Sequence, residues 1–155
     1  MHMRQTNNPT YTVLGLNNLS AMWVAPTEDG GLDGGPEIHL VADPEFAPTP
    51  TTPTAEFVAV EATFTDYALK VPTFTPNGSH GPDHRGPHAL VSWAIAEAGV
   101  VTPNTVYGWW LEVAGDVFAF ETFEEGQEVV MAADGDTLHL EVILPFAYTP
   151  GPLEE

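Results

Sequence analysis

Apolar and polar residues alternate over short segments of this chain, and turn-forming residues end each segment after a few positions. In two segments the apolar residues recur at every second position: Val58, Val60, Ala62 and Phe64 in the first, and Leu138, Leu140, Val142 and Leu144 in the second. A period of two is typical of a strand with one buried face. About nine or ten such segments, spaced by turns, predict an all-β protein.

The segment "ALVSWAIAEAG" has the composition of a short helix, but its flanking prolines and β-branched residues favour a strand. Val91, Trp93 and Ile95 alternate within it, as a strand requires. Turns are predicted at "VAGDV" and "AADGDT", and "DGD" at 134–136 is interpreted as a hairpin turn rather than a calcium loop. The predicted fold is a single antiparallel β-sandwich, similar to a jelly roll.

The domain organisation follows from composition. Residues 1–37 are predicted to form an N-terminal extension, either an extended arm or extra edge strands, and residues 38–155 form the sandwich. The stretch "ADPEFAPTPTTPTAEF" is a Pro/Thr-rich connector, expected to be extended and ordered by what it lies against. No segment has the roughly 18 consecutive apolar residues of a membrane helix.

The chain is strongly acidic. Twenty-two Asp and Glu residues face only Arg4, Lys70 and Arg85, for a formal charge of −19. Binding to nucleic acid needs cations that neutralise phosphates, so a nucleic-acid partner is excluded, as is docking on an anionic membrane. The acidity is equally explained by solubility or by a saline medium. In a larger particle it favours a place away from the packaged genome.

One loop, "FTPNGSHGPDHRGPH", contains a dense set of metal-type ligands, namely His80, His84 and His88 with Asp83. Its prolines and glycines prevent the helix that would stack these histidines, although a loop could still converge on zinc, copper or nickel. The favoured interpretation is a solvated loop, with no metal and no cofactor. The chain has no cysteine and no G-x-S-x-G, P-loop or H-E-x-x-H motif, so no enzyme is predicted.

The stretch "TVYGWWLEVAGDVFAFETF" contains two adjacent tryptophans. Neighbouring residues of a strand point to opposite faces. The predicted core face has Tyr107, Trp109, Leu111 and Val113, and the other face has Val106, Gly108 and Trp110. Because a two-layer sandwich buries one face of each sheet, Trp110 is exposed, lies under a loop or the N-terminal arm, or meets another subunit. The predicted interface residues are Trp110, Gly108 (whose missing side chain leaves a notch) and Trp23.

Five segments in order carry a resemblance to a known family: Asp43–Pro48, Ala62–Ala68, Thr102–Trp109, Glu121–Phe123 and Gly135–Leu138. Over roughly residues 38–146 the chain resembles small virion structural proteins of tailed phages and prophages. Their pattern is "N-x-F-x-P", a Pro/Thr spacer, "A-x-F-x-G-Y-A", "T-P-N-T-I-Y-G-Y", "E-R-F" and "G-D-x-L". The chain departs from it at Asp66, where glycine is usual, at Thr122, where arginine is usual, and in the added residues 1–37.

The resemblance implies a non-enzymatic virion structural protein, either a head decoration, a minor capsid protein or a tail component, with no catalytic residues to carry over. Its expected partners are copies of itself and major capsid or tail proteins. Its expected location is the exposed surface of a virion assembled in the host cytoplasm. Two alternatives remain open: an extracellular carbohydrate-binding sandwich in which Trp23, Trp109 or Trp110 stacks on sugar rings, and a metal-dependent enzyme built on the histidine loop.

Overall fold

The computed structural model describes residues 2–6, 9–12, 36–74, 88–96 and 99–144. These segments form nine strands and one short helix: β1 (His2–Thr6), β2 (Thr10–Tyr11), β3 (Glu37–Val41), α1 (Thr54–Ala59), β4 (His88–Ala94), β5 (Asn104–Val106), β6 (Gly108–Val113), β7 (Asp116–Thr122), β8 (Val129–Met131) and β9 (Thr137–Ile143). The predicted all-β class is confirmed. No helix in these segments is long and apolar enough to cross a membrane.

The strands pair into three sheets. One has the order β1-β9-β4, the second β2-β7-β6-β3, and the third is the pair β5-β8. All pairings are antiparallel except that of β1 with β9, which is parallel. The described parts of the N-terminal extension, β1 and β2, therefore lie at the edges of two different sheets. The jelly-roll topology stays a prediction.

The alternation in the sequence accounts for the central pair of the first sheet. β4 is a strand, as its alternation predicted, and Trp93 pairs with Leu138 of β9 while Val91 pairs with Leu140. These four side chains are buried in the larger apolar cluster, which we call the main core and which also contains Trp109, Leu111 and Phe118 of the second sheet. Because every second side chain of β4 points to the same face, the intervening Leu90 stays 63% exposed.

The strand predicted from the alternation of Val58, Val60, Ala62 and Phe64 is wrong in its first half. Residues Thr54–Ala59 form α1, one and a half turns that begin directly after Pro53. Proline is well tolerated just before a helix, because its fixed φ suits the first helical turn and its missing N–H has no partner there. Within α1 Phe57 is fully buried while Val58 is 52% exposed, the reverse of the predicted facing of Val58.

From Glu61 to Phe64 the chain precedes a turn at residues 65–66, and the predicted alternation holds for two residues. Ala62 and Phe64 are buried in the main core, and two isolated bridges, Val41 with Glu61 and Ile38 with Lys70, connect this segment to β3. The segment therefore runs beside the edge of the second sheet without forming a continuous strand.

Both predicted turns are present. In the β6–β7 hairpin Ala114 and Gly115 have φ values of 52° and 86°, as a tight two-residue turn requires. In "AADGDT" the Asp136 carboxylate accepts N–H bonds from Ala132 and Ala133 at 2.8 Å. This second turn joins β8 to β9, which lie in different sheets, so the prediction of a hairpin there is wrong.

The predicted notch at Gly108 does not exist, because the backbone of β7 closes it. A Cβ atom on Gly108 would lie 2.5 Å from the carbonyl oxygen of Glu121 and 3.1 Å from the Cα of Thr122. Gly108 therefore permits the close pairing of β6 with β7 and offers no surface to a partner.

We expect Gly108→Ala to lower the free energy of unfolding by about 1–3 kcal/mol, because the new methyl group pushes against backbone atoms that cannot rotate away. Urea denaturation followed by circular dichroism measures the effect. Val130→Ala, on the exposed side of β8, is the control and should change stability by less than about 0.5 kcal/mol. Equal stability of Gly108→Ala and wild type would contradict the close β6–β7 packing.

Candidate functional site

The adjacent tryptophans of β6 lie in two separate apolar clusters. Trp109 belongs to the main core, whereas Trp110 belongs to a second cluster with Val41, Phe57, Val117 and Phe120. Both tryptophans are 0% exposed. The prediction that they face opposite sides of the strand is confirmed.

The chain itself covers Trp110. The ring of Phe57 from α1 lies 5.7 Å from the Trp110 ring, and the ring of His39 stacks on Trp110 at 4.6 Å with an interplanar angle of 5°. The hydroxyl of Thr54 accepts the N–H of Val117 at 3.2 Å, which attaches the start of α1 to β7. The cover is thus the end of the Pro/Thr connector.

Two predicted interface positions are therefore corrected. Trp110 has no exposed surface to offer another subunit, and Gly108 is closed by β7. Trp23 lies outside the described residues. The predicted facing of Val106 is also wrong: Val106 is buried in the main core with Trp109, because the strand is interrupted at Tyr107 between β5 and β6.

A polar network borders the second cluster. His39 is 5% exposed, and its Nδ1 lies 2.7 Å from Oε1 of Glu61. The hydroxyl of Tyr67 donates to the same Glu61 oxygen at 2.7 Å and accepts the N–H of Leu40 at 3.2 Å. Burial, reinforced by the hydrogen bond to Glu61 and its charge, raises the pKa of Tyr67 well above its usual value. The network fastens the 61–67 segment to β3.

The network does not form a metal centre. His39 Nε2 is 3.7 Å from one carboxylate oxygen of Glu37 and 3.7 Å from one of Glu112. Over the described segments, no three His, Asp or Glu side chains are arranged to hold a metal ion. Of the metal-type ligands in the histidine loop only His88 is described, as the first residue of β4 opposite Ile143. His80 and His84 lie outside the described residues, so the interpretation of that loop stays a prediction.

An open cleft of about 300 Å³ lies where the connector leaves β3. Its lining comes from three parts of the chain: Asp43, Pro44 and Phe46 from the connector, Tyr107 from the link between β5 and β6, and Thr122, Phe123, Glu124, Glu125 and Glu128 from the end of β7 and the loop after it. We call it the acidic cleft.

Three hydrogen bonds donated by backbone N–H groups hold the walls of the acidic cleft in place. The N–H of Tyr107 donates to the carbonyl of Val41 at 2.8 Å, and the N–H of Phe123 donates to the carbonyl of Tyr107 at 2.7 Å. On the connector side, the N–H of Glu45 donates to Oδ1 of Asp43 at 2.9 Å, which supports the turn at 44–45. The cleft is thus built on paired strands and a hydrogen-bonded turn.

Among the described residues, the lining of the acidic cleft combines three aromatic rings with four carboxylates and has no lysine or arginine. Three of the five segments that carry the family resemblance meet in it, namely Asp43–Pro48, Thr102–Trp109 and Glu121–Phe123. Each of these segments was identified in the sequence by its own pattern. Their meeting depends on long-range pairing, which no spacing along the chain reveals.

Comparisons with protein-family models, with curated proteins and with solved structures give no match.

We expect Trp110→Ala and Trp109→Ala each to lower the free energy of unfolding by about 3–5 kcal/mol, because each removes a fully buried ring from its own cluster. Phe57→Ala should destabilise the chain through the same second cluster, whereas Val58→Ala on the exposed side of α1 should have little effect. Thermal and urea unfolding of the four variants measure this. A Trp110→Ala protein as stable as wild type would show that the second cluster does not form.

We expect stability to fall as pH rises above about 10, the usual pKa of tyrosine. Burial raises the pKa of Tyr11 to about 12 and that of Tyr67 further. The unfolded chain therefore loses these protons first, and the free energy of unfolding decreases between pH 10 and the folded pKa values. Since Lys70 is the only lysine, few other groups titrate there.

Urea unfolding at several pH values between about 9 and 11, together with tyrosine absorbance at 295 nm, measures this dependence. The double variant Tyr11→Phe/Tyr67→Phe is the control and should show a flatter pH profile. Ionisation of all four tyrosines near the ordinary pKa in the folded protein would contradict the burial of Tyr11 and Tyr67.

Proposed function

We propose that this protein is a non-enzymatic structural component of a tailed-phage or prophage particle, as a head decoration, minor capsid or tail protein. The observation that carries the proposal is the acidic cleft, in which three segments of the resemblance meet on the surface of an all-β protein. The cleft is formed by segments on which the resemblance is based, and this supports a protein that functions by binding other proteins rather than by catalysis.

The contact surface in this proposal is the acidic cleft and not the Trp110 face. Phe46, Tyr107 and Phe123 are half-buried, so each retains surface for a partner, whereas Trp110 retains none. The proposed partners are capsid or tail proteins and further copies of this chain. With a charge of −19, the protein repels packaged nucleic acid, so its place in the proposal is the outer surface of the particle.

Two of the three tryptophans named for the carbohydrate-binding alternative give it no support, and Trp23 lies outside the described residues. Trp109 and Trp110 are fully buried and have no face for a sugar ring. The large hydrophobic side chains exposed in the described segments are all aliphatic: Val58, Leu69, Val71, Leu90, Val100 and Val130. The metal-enzyme alternative likewise receives no support from the described residues.

The proposal predicts that the protein purifies with assembled particles. Particles from the phage or prophage that encodes it should contain it in repeated copies, detectable by mass spectrometry and as density on the outer surface by cryo-electron microscopy. A deletion of the gene, complemented in trans, controls for contamination. Abundant protein in the lysate with none in particles separated on a density gradient would contradict the proposal.

A further inference from the structure

We propose that the acidic cleft binds an arginine side chain from a basic segment of a partner protein. This inference rests on the proposed function, since it names the partner chemistry at the same surface. Three features of the cleft support it: the aromatic rings, the carboxylates and the volume of the cleft.

The aromatic rings favour a planar cation. Phe46 comes from the connector, where its ring also packs against Phe57 at 5.0 Å, while Tyr107 and Phe123 come from the other two walls, and all three are half-buried. A cation over an aromatic face is attracted by the electrons of the ring, and guanidinium also stacks flat on such a face. An ammonium group lacks this second contact, so arginine fits better than lysine.

The carboxylates favour the same ligand. Asp43, Glu124, Glu125 and Glu128 line the cleft, and no cationic side chain of the described segments lies in the lining to neutralise them. Three of the four, Glu124, Glu125 and Glu128, are exposed and free to reorient toward a ligand. Guanidinium donates paired N–H bonds to a carboxylate, and complementary charge speeds the encounter with a basic partner.

The dimensions of the cleft favour one side chain. A volume of about 300 Å³ is at the lower end of the roughly 300–1,000 Å³ range of small-molecule pockets. Because the cleft is open, the backbone of a partner could pass along the surface while a single side chain enters. This geometry matches a segment of another protein better than a free organic ligand that must be enclosed.

The first experiment titrates the full-length protein with a capped peptide, Gly-Ser-Arg-Ser-Gly, and with the same peptide in which neutral citrulline replaces arginine. Amide shifts in proton–nitrogen NMR spectra report where each peptide binds. We expect saturable shifts at Tyr107, Phe123 and Glu124 with the arginine peptide, and at least tenfold weaker binding of the citrulline peptide. Equal affinities of the two peptides would overturn the proposal.

Matched variants separate the cleft from the general acidity of the chain. Glu124→Gln/Glu128→Gln removes two charges at the cleft, and Glu45→Gln/Glu56→Gln removes two from exposed side chains that do not line it. We expect the first pair to weaken binding at least about fivefold and the second less than twofold. Equal losses from the two pairs would show diffuse attraction and overturn the proposal.

Two further variants test the rings and the space. Tyr107→Leu keeps the apolar bulk but removes the ring face, and we expect it to weaken the arginine peptide about threefold to fivefold. Thr122→Arg places a guanidinium at the cleft from within the chain and should abolish binding by occupying it. Unfolding curves identify a variant that has lost its fold, and unchanged affinity in a folded Thr122→Arg protein would contradict the proposed site.

The outcome for the cleft is separable from that for the proposed function. Failure of the arginine peptide to bind, with the protein still present in particles, would overturn the cleft and leave the structural role standing. Binding at the cleft with the protein absent from particles would overturn the structural role and leave the cleft standing.

Discussion

The fold depends on burying two large aromatic rings that occupy adjacent positions of β6. Trp109 and Trp110 point to opposite faces of the second sheet, so burying one ring leaves the other to be covered separately. Full burial of a large aromatic side chain contributes on the order of 1.5–3 kcal/mol through the hydrophobic effect, so covering the second ring adds to the stability of the fold. The chain supplies this cover with its own connector, and both rings are 0% exposed.

The path of the connector follows from this requirement. It leaves β3 at Val41, crosses the outer face of the sheet and places Phe57 against Trp110. It then returns to the edge of β3, where Ala62 N–H bonds to the carbonyl of Leu40 at 2.9 Å and Glu61 meets His39. The acidic cleft lies at the start of this excursion, beside Asp43 and Phe46. The path of the connector over the second sheet therefore both covers Trp110 and forms one wall of the acidic cleft.

The strands and turns that depend on neighbouring residues could be predicted from the sequence. The alternation in β4 and β9 and the glycine-containing turns are visible in short windows, and the structure has them. α1 could not be predicted in this way, because six residues form too few internal hydrogen bonds to be stable alone. Its helical form depends on Phe57 meeting Trp110, 53 positions away, and on Thr54 bonding Val117 of β7, 63 positions away.

The candidate site could also be predicted only in part from the sequence. The facing of Trp109 and Trp110 followed from the geometry of a strand, but what covers Trp110 depended on where the connector runs. The break at Tyr107, which returns Val106 to the main core, has no marker in the alternating pattern. The acidic cleft requires three distant segments to meet, which no short window of the sequence indicates.

The most direct test of this account is the environment of the Trp110 ring in the monomer. Nuclear Overhauser spectra of the isotope-labelled protein, at concentrations where sedimentation shows a single chain, report protons within about 5 Å of each other. The account predicts cross-peaks from the Trp110 indole to Phe57 and His39 within one molecule. A Trp110 indole that contacts solvent, or contacts these rings only in mixed-label dimers, would contradict it.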